Sequence, residues 1–316
     1  MKKVNRCIRS LIFISMVSLV AIGQNGQMDF ENAQRCFSEY GKNKSLQNYL
    51  DSARFFIDRA LEDVEIAQSG MAYNFSGAIY KELYKAKESG NLESEFRNKS
   101  VERFLRSYDL DTTSKNRDVV KQQIKWVAIQ YNNDAKRALE QDANLEKAQK
   151  NFSHFKKLIQ IVEPTFNLRK KEIEFELACG SALQEKGARL EKKEFFDLAK
   201  VAYFKVLDMD STNNDANYNI GTIYYNQGAN LIMKVLDFDT PIDSIPIFED
   251  MARKLFLQSK PFMLKASSKK ENCVKVIEGL MGIFYSLNDE ENFKKLKEKL
   301  DRIKSDIEAG LIKDEC

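Results

Sequence analysis

The sequence predicts an all-α fold in which helices follow one another in pairs. The chain has only 13 glycines and 4 prolines in 316 residues, far below the roughly 12% of an average protein. Hydrophobic residues make up 43% of the chain and charged residues 31%, which excludes a disordered chain and a membrane protein with many spans. Apolar residues also recur at helical spacing, in blocks separated by short polar joints.

The first 23 residues have the layout of a secretory signal peptide. An apolar run from Leu11 to Ile22 follows four basic residues, which are Lys2, Lys3, Arg6 and Arg9. Ala21 and Gly23 supply small residues at the −3 and −1 positions, which predicts cleavage before Gln24 and a periplasmic or secreted mature protein. An uncleaved anchor is the alternative, but the run is shorter than the ~20 residues of a membrane-spanning helix. We therefore expect no stable membrane span after cleavage.

Removal of this segment changes the charge and leaves four cysteines. The whole chain has 50 basic and 47 acidic residues, and the four basic residues of the signal leave with it, so the mature chain carries a formal charge of −1. Nucleic acid is therefore not an expected partner, because its recognition needs a basic surface. The remaining cysteines are either paired in an oxidising compartment, in any of three combinations, or isolated thiols: Cys36, Cys179, Cys273 and Cys316.

Residues 199–228 contain the clearest repeat unit. Its predicted packing positions lie on two helices that flank a turn at Asp210 and Ser211: Ala199, Tyr203, Ile220, Gly221, Tyr224 and Gly228. This window resembles the tetratricopeptide repeat (TPR), a helix-turn-helix unit of 34 residues, with Ser211 where that family usually has proline. Glycine inside a helix costs about 1 kcal/mol relative to alanine. We therefore expect Gly221 to let a neighbouring helix approach closely.

Weaker copies of this pattern flank the best unit. Gly77 belongs to one copy, and in another the glycine position is filled by either Gly180 or Gly187. The resemblance implies a TPR-like helix-turn-helix solenoid of about six helix pairs in a single domain over residues 24–316; the alternative is an irregular helical bundle. An inserted loop is predicted at 237–246, and a kink at Pro261. The pairs are expected near residues 29–66, 70–111, 117–161, 165–210, 214–268 and 272–305.

The sequence contains no recognisable catalytic or cofactor-binding motif. His154 is the only histidine, so a histidine-based zinc site lacks the ligands it needs. A predicted helix contains Cys179, Gly180 and Ser181, and we interpret Cys179 and Gly180 as packing residues. Phosphate-binding loops and hydrolase motifs are also missing from the sequence. We therefore expect no enzyme activity, no cofactor and no metal.

The resemblance implies binding of a protein or peptide in a concave groove. The positions on the second helix of the best unit that match the groove-lining positions of the family are Asp215, Tyr218, Thr222, Tyr225 and Asn226. A simpler interpretation is that Tyr218 and Tyr225 pack against the next repeat. The predicted function is a non-catalytic scaffold or adaptor of the cell envelope. The alternatives are a glycan or cell-wall binder and, less favoured, a helical enzyme that uses groove carboxylates.

Overall fold

The structure is a computed structural model that describes residues 25–111, 114–235, 240–269 and 271–315. The expected signal peptide and residues 237–239 of the expected loop lie outside the described residues. Over the described ranges the chain forms helices and no strand. Besides two short 3₁₀ turns, it has twelve α-helices there: α1 (25–42), α2 (Gln47–Ala60), α3 (Gly70–Lys87), α4 (Glu95–Leu110), α5 (Ser114–Asp142), α6 (Leu145–Val162), α7 (Leu168–Leu190), α8 (Lys193–Met209), α9 (Asn214–Val235), α10 (Ile245–Ser267), α11 (Val274–Ser286) and α12 (Glu290–Glu308).

Consecutive helices pack in adjacent pairs. Helix α3 packs on α4, α7 on α8, α9 on α10 and α11 on α12. Helix α1 shares a buried cluster with α2, through Ala33 and Leu50. Helix α5 contacts α6 where the ring of Tyr131 stacks on that of His154, with centroids 4.8 Å apart. These pairs confirm the predicted all-α helical-repeat fold class with about six helix pairs.

The chain divides into two compact units. Unit 1 contains the described residues up to Ala138 together with Glu146–Phe166, and unit 2 contains Leu139–Leu145 together with the described residues from Asn167 onward. The core of unit 1 includes the fully buried side chains of α2 and α3, such as Ile57 and Leu83. In unit 2 one cluster lies between α7, α8 and α9, and a second joins α10 to α11.

The turn between α8 and α9 is fixed by local polar side chains. The Asp210 carboxylate accepts hydrogen bonds from the backbone N–H of Thr212 (3.0 Å) and from its hydroxyl (2.8 Å). The Asn213 side chain accepts a hydrogen bond of 3.0 Å from the N–H of Ala216. Asparagine is a preferred residue at this position because its side chain satisfies a backbone donor that has no partner within the helix. The turn therefore forms without the proline that the family pattern would place at Ser211.

The structure corrects the expected end of the inserted loop, shows helix at Pro261, and selects between the two glycines of α7. Helix α10 already begins at Ile245, inside the expected loop, with Pro246 in its first turn, where the missing N–H of proline costs nothing. The same helix continues through Pro261. In α7, Gly180 rather than Gly187 fills the close-approach position, because a Cβ on Gly180 would lie 2.4 Å from the Tyr203 ring.

Unit 1 contains a buried ion pair between α4 and α5. The Arg97 guanidinium bonds to the Asp134 carboxylate, and both side chains are 1% exposed. Arg97 also donates to the carbonyl of Leu92 (2.9 Å) and to the side chain of Asn151 (3.0 Å). Its guanidinium carbon lies 3.9 Å from the centroid of the Tyr131 ring. The polar groups therefore replace much of the hydration that Arg97 and Asp134 lose on burial.

Candidate functional site

The predicted packing positions of the best repeat lie in the interior of unit 2. Ala199, Tyr203 and Ile220 are fully buried, and Tyr224 is half-buried, its ring stacked on that of Phe262 with centroids 6.2 Å apart. A Cβ on Gly228 would lie 2.9 Å from the Phe256 ring. These residues hold α9 between α8 and α10.

Two predicted groove residues, Asp215 and Tyr218, line a cavity of about 160 Å³ in unit 2. The cavity lies where α9 and α11 begin and α10 ends. Its other lining residues come from these three helices and from Cys273, the residue that precedes α11: Asn214, Ala266, Cys273, Lys275 and Val276. The cavity therefore combines apolar walls with a carboxylate, an amide, a phenol and an ammonium group.

The polar groups of this cavity are arranged at the starts of two helices. Backbone N–H groups at helix starts carry partial positive charge, and Lys275 adds a full one, while Asp215 supplies the opposite charge. The side-chain oxygen of Asn214 is buried and has no hydrogen-bond partner among the described residues. Such an atom is costly to bury unpaired. The cavity therefore presents groups of both charges and both hydrogen-bonding types on its lining.

The C-terminal residues border the same helix start. The N–H of Asn272 donates to the Glu315 carboxylate (3.0 Å), and the N–H of Val274 donates to the Asp314 carboxylate (3.3 Å). Cys273 itself forms no side-chain cap on α11. The acidic tail thus supplies the negative groups that a helix N-terminus attracts.

The other predicted groove residues do not line this cavity. The Tyr225 ring packs against Phe256, with centroids 5.6 Å apart, and its hydroxyl occupies the space that a Cβ on Gly282 would need. Thr222 is half-buried, and its hydroxyl has no hydrogen-bond partner among the described residues. Asn226 is exposed. The structure therefore brings together Asp215 and Tyr218 of the predicted set, and places Tyr225 between helices.

Sequence reasoning missed Asn214 and Ala266 of the same helix pair, and it missed the cavity residues at the start of the next pair. Lys275 and Val276 are far from Asp215 in the chain and become neighbours only because α11 packs on α10. The sequence signal that could have found them is the Gly-x-x-Tyr spacing of α11, repeated at Gly282. Aligning it with α9 would have placed the start of α11 beside the start of α9.

Cys179 and His154, the candidates for a catalytic role, both pack against neighbouring side chains. Cys179 is a free thiol that is 2% exposed, and burial, with a smaller contribution from Glu176, raises its pKa to about 12. A thiol that stays protonated at neutral pH is a poor nucleophile. His154 lies against Tyr131, and burial together with Lys157, Arg97 and Lys150 lowers its pKa. Within the described ranges no three His, Cys, Asp or Glu side chains gather as a metal site would require.

Comparison with models of known protein families gives no match, and comparison with curated proteins gives none either. In the part of the chain that the structure describes, no helix is both long enough and apolar enough to cross a membrane. The site is therefore interpreted from its own geometry.

Proposed function

We propose that this chain is an exported, non-catalytic binding protein of the tetratricopeptide type, which holds a segment of a partner protein in the unit 2 cavity. The single observation that carries the proposal is the meeting of Asp215, Tyr218 and Lys275 around one cavity at three helix ends. Tyrosine combines rigid apolar area with a hydrogen-bonding hydroxyl. Opposite charges on two sides of one cavity suit a peptide, whose backbone presents both donors and acceptors.

The repeat architecture supports this proposal. Successive helix pairs with the packing residues of the best unit in their interior agree with the resemblance seen at residues 199–228. Repeat proteins of this kind commonly bind extended partners on the surface that their stacked units share. Because a fold alone does not establish a function, the proposal depends on the cavity and is tested there.

Export is supported by the state of Cys273, which takes part in a disulfide. Disulfides persist in oxidising compartments such as the bacterial periplasm or the extracellular space. The expected signal peptide has the same implication. Mass analysis of the N-terminus of the protein from cells should find a chain that begins near Gln24; an intact residue 1–23 segment in the cytosolic fraction would contradict export.

The experiment for the proposed function uses a photoreactive amino acid at position 218 of the full mature chain. We expect illumination in envelope extract to join the chain to one partner protein, and we expect Asp215→Lys to abolish the product. The matched control places the same amino acid at Tyr285, which is 72% exposed on α11 and does not line the cavity. Equal products from positions 218 and 285 would contradict the proposal, and capture of cell-wall fragments at 218 would replace it with the glycan-binding alternative.

A further inference from the structure

Two lysines of unit 1 lie against the only tryptophan of the chain, Trp126, and a third lysine shares a carboxylate with one of them. Lys81 and Lys85 lie one turn apart on α3, and their Nζ atoms are 5.4 Å and 5.0 Å from the centroid of the Trp126 ring. Lys44, in the connection from α1 to α2, bonds at 3.0 Å to Glu82, the carboxylate that also bonds Lys85, and its Nζ lies 4.2 Å from the centroid of the Tyr40 ring. We call Lys44, Lys81 and Lys85 the lysine cluster.

The cluster is held in place from two neighbouring helices. Gln123 on α5 accepts a hydrogen bond of 2.6 Å from the Lys81 ammonium. Tyr84 on α3 fixes the indole of Trp126 from the side, with ring centroids 6.5 Å apart and the planes near perpendicular. The ammonium groups of Lys81 and Lys85 are therefore positioned by contacts to α5.

The charges of the cluster are not balanced. Three ammonium groups face one carboxylate, that of Glu82, which bonds both Lys85 (2.8 Å) and Lys44 (3.0 Å). Burial lowers the pKa of Lys81, and the positive charges of Lys85 and Lys44 lower it further against the opposing effect of Glu82. Burial and the neighbouring lysines therefore disfavour the charged form of Lys81, and a bound anion would stabilise it.

We propose that the lysine cluster binds an acidic, internal segment of a partner protein, at a surface separate from the unit 2 cavity. Lys81 and Lys85 both contact Trp126, so their ammonium groups are at most about 10 Å apart by the two centroid distances. Alternate side chains of an extended chain lie on the same face about 6.6 Å apart. Two acidic residues separated by one residue can therefore each reach one lysine, while the third position of the cluster extends the contact toward α1.

The same observations favour a peptide over other anionic partners. A polyanion such as nucleic acid needs a broad basic surface, whereas the mature chain has 46 basic and 47 acidic residues once the four signal lysines and arginines are removed. A sugar platform needs a free aromatic face, but two ammonium groups already lie near the Trp126 ring. A cluster with a surplus of two positive charges matches a short acidic segment.

The test uses the full mature chain and the fluorescence of Trp126, which needs no added label because the sequence has one tryptophan. The probe is a synthetic peptide of alternating glutamate and glycine with both ends capped, and its glutamine counterpart serves as the neutral probe. We expect saturable quenching by the acidic peptide, weakened by salt, and none by the neutral one. Lys81→Gln with Lys85→Gln should weaken binding at least about fivefold, since each partly exposed pair contributes modestly.

The matched control removes two lysines of the same helices that lie outside the cluster. Lys87→Gln with Lys121→Gln removes the same number of positive charges. Lys87 bonds Asp51 at 2.6 Å and Lys121 faces Asp118 at 3.9 Å, so their ion pairs are separate from the cluster. If the double cluster variant melts abnormally, Lys85→Gln alone repeats the test at a 44% exposed side chain. The proposal is overturned by absent quenching, by equal weakening in the control, or by tighter binding of an oligonucleotide or anionic polysaccharide. None of these outcomes bears on position 218.

Discussion

The hydroxyl of Ser259 donates a hydrogen bond of 2.6 Å to the backbone carbonyl of Gly221, where α10 crosses α9. Ser100 on α4 donates the corresponding bond of 2.8 Å to Gly77 on α3. In both pairs the residue four positions after the serine fills the space beside the glycine: Met263 beside Gly221, and Phe104 beside Gly77. The pairs α3/α4 and α9/α10, which belong to different units, therefore pack in the same register, although the connection from α9 to α10 is longer than that from α3 to α4.

Replacing Gly180 or Gly221 with alanine should destabilise the protein, and the loss should be larger where the neighbouring side chain is more rigid. A Cβ on Gly180 would lie 2.4 Å from the ring of Tyr203, which is fully buried, so we expect Gly180→Ala to cost about 1–3 kcal/mol. A Cβ on Gly221 would first meet the flexible Met263 side chain, at 2.7 Å. Gly221→Ala should therefore cost less than Gly180→Ala, and Gly221→Leu more than Gly221→Ala, in urea unfolding.

The control for these variants is Gly41 in α1, which has no atom within 4 Å of an added Cβ. Gly41→Ala should be neutral or slightly stabilising, because alanine has the higher helix propensity. Equal small losses at all three glycines would contradict the close crossings.

Removal of one partner of the buried Arg97–Asp134 pair should destabilise unit 1 strongly. Both side chains are 1% exposed, so Asp134→Ala leaves an uncompensated buried charge and should cost about 3–5 kcal/mol. The double change to Arg97→Met with Asp134→Leu should cost less than the sum of the two single changes. Unfolding can be followed by Trp126 fluorescence. The exposed pair of Lys99 and Glu102 provides the control, since Lys99→Ala should change stability by less than about 1 kcal/mol.

Unit 1 should lose stability as the pH falls through the range in which histidine titrates. Burial, Lys157, Arg97 and Lys150 lower the pKa of His154 in the folded protein, while its pKa in the unfolded chain is about 6.5. Below that value the unfolded chain binds a proton that the folded protein resists, so the free energy of unfolding rises with pH. Urea unfolding at pH 7.5 and 5.5 should show this difference, and His154→Gln should reduce it. An unchanged difference in that variant would assign the effect to other groups.

Peptide mapping without reductant should find Cys273 joined to Cys316. Cys273 is disulfide-bonded, Cys36 and Cys179 are free thiols, and Cys7 lies in the segment expected to be cleaved, so we expect Cys316 to be the partner. Asp314 and Glu315 already bond to the backbone on either side of Cys273. Loss of the link through Cys316→Ser should cost about 2–4 kcal/mol by the usual effect of a disulfide. A map that shows Cys316 as a free thiol, or Cys273 joined to another cysteine, would contradict this pairing.

The fold class was predictable because apolar residues recur at helical spacing within each helix pair. Ala53, Ile57 and Ala60 recur at helical spacing, and all three are fully buried on α2. The scarcity of glycine and proline likewise limits the chain to few turns. Helix starts were readable wherever a capping side chain precedes them, as at Asn213.

The candidate site was predictable only in part. Asp215 and Tyr218 belong to one helix, and the tetratricopeptide resemblance placed both among the groove positions. Lys275 reaches them through the packing of α11 on α10, which depends on a register that no local pattern specifies. The lysine cluster was missed for the same reason, since Lys81 and Trp126 belong to different helix pairs and their contact exists only after α3 and α5 pack.

The burial of Cys179 gives unit 2 an internal reporter. Its thiol is 2% exposed, and its pKa is raised to about 12, so an alkylating reagent can reach the thiolate only while the contact between α7 and α8 is open. The rate of modification at neutral pH therefore counts openings of that helix pair. A ligand that binds at the start of α9 should slow this rate if it holds α8 and α9 together, which offers a way to detect a partner before its identity is known.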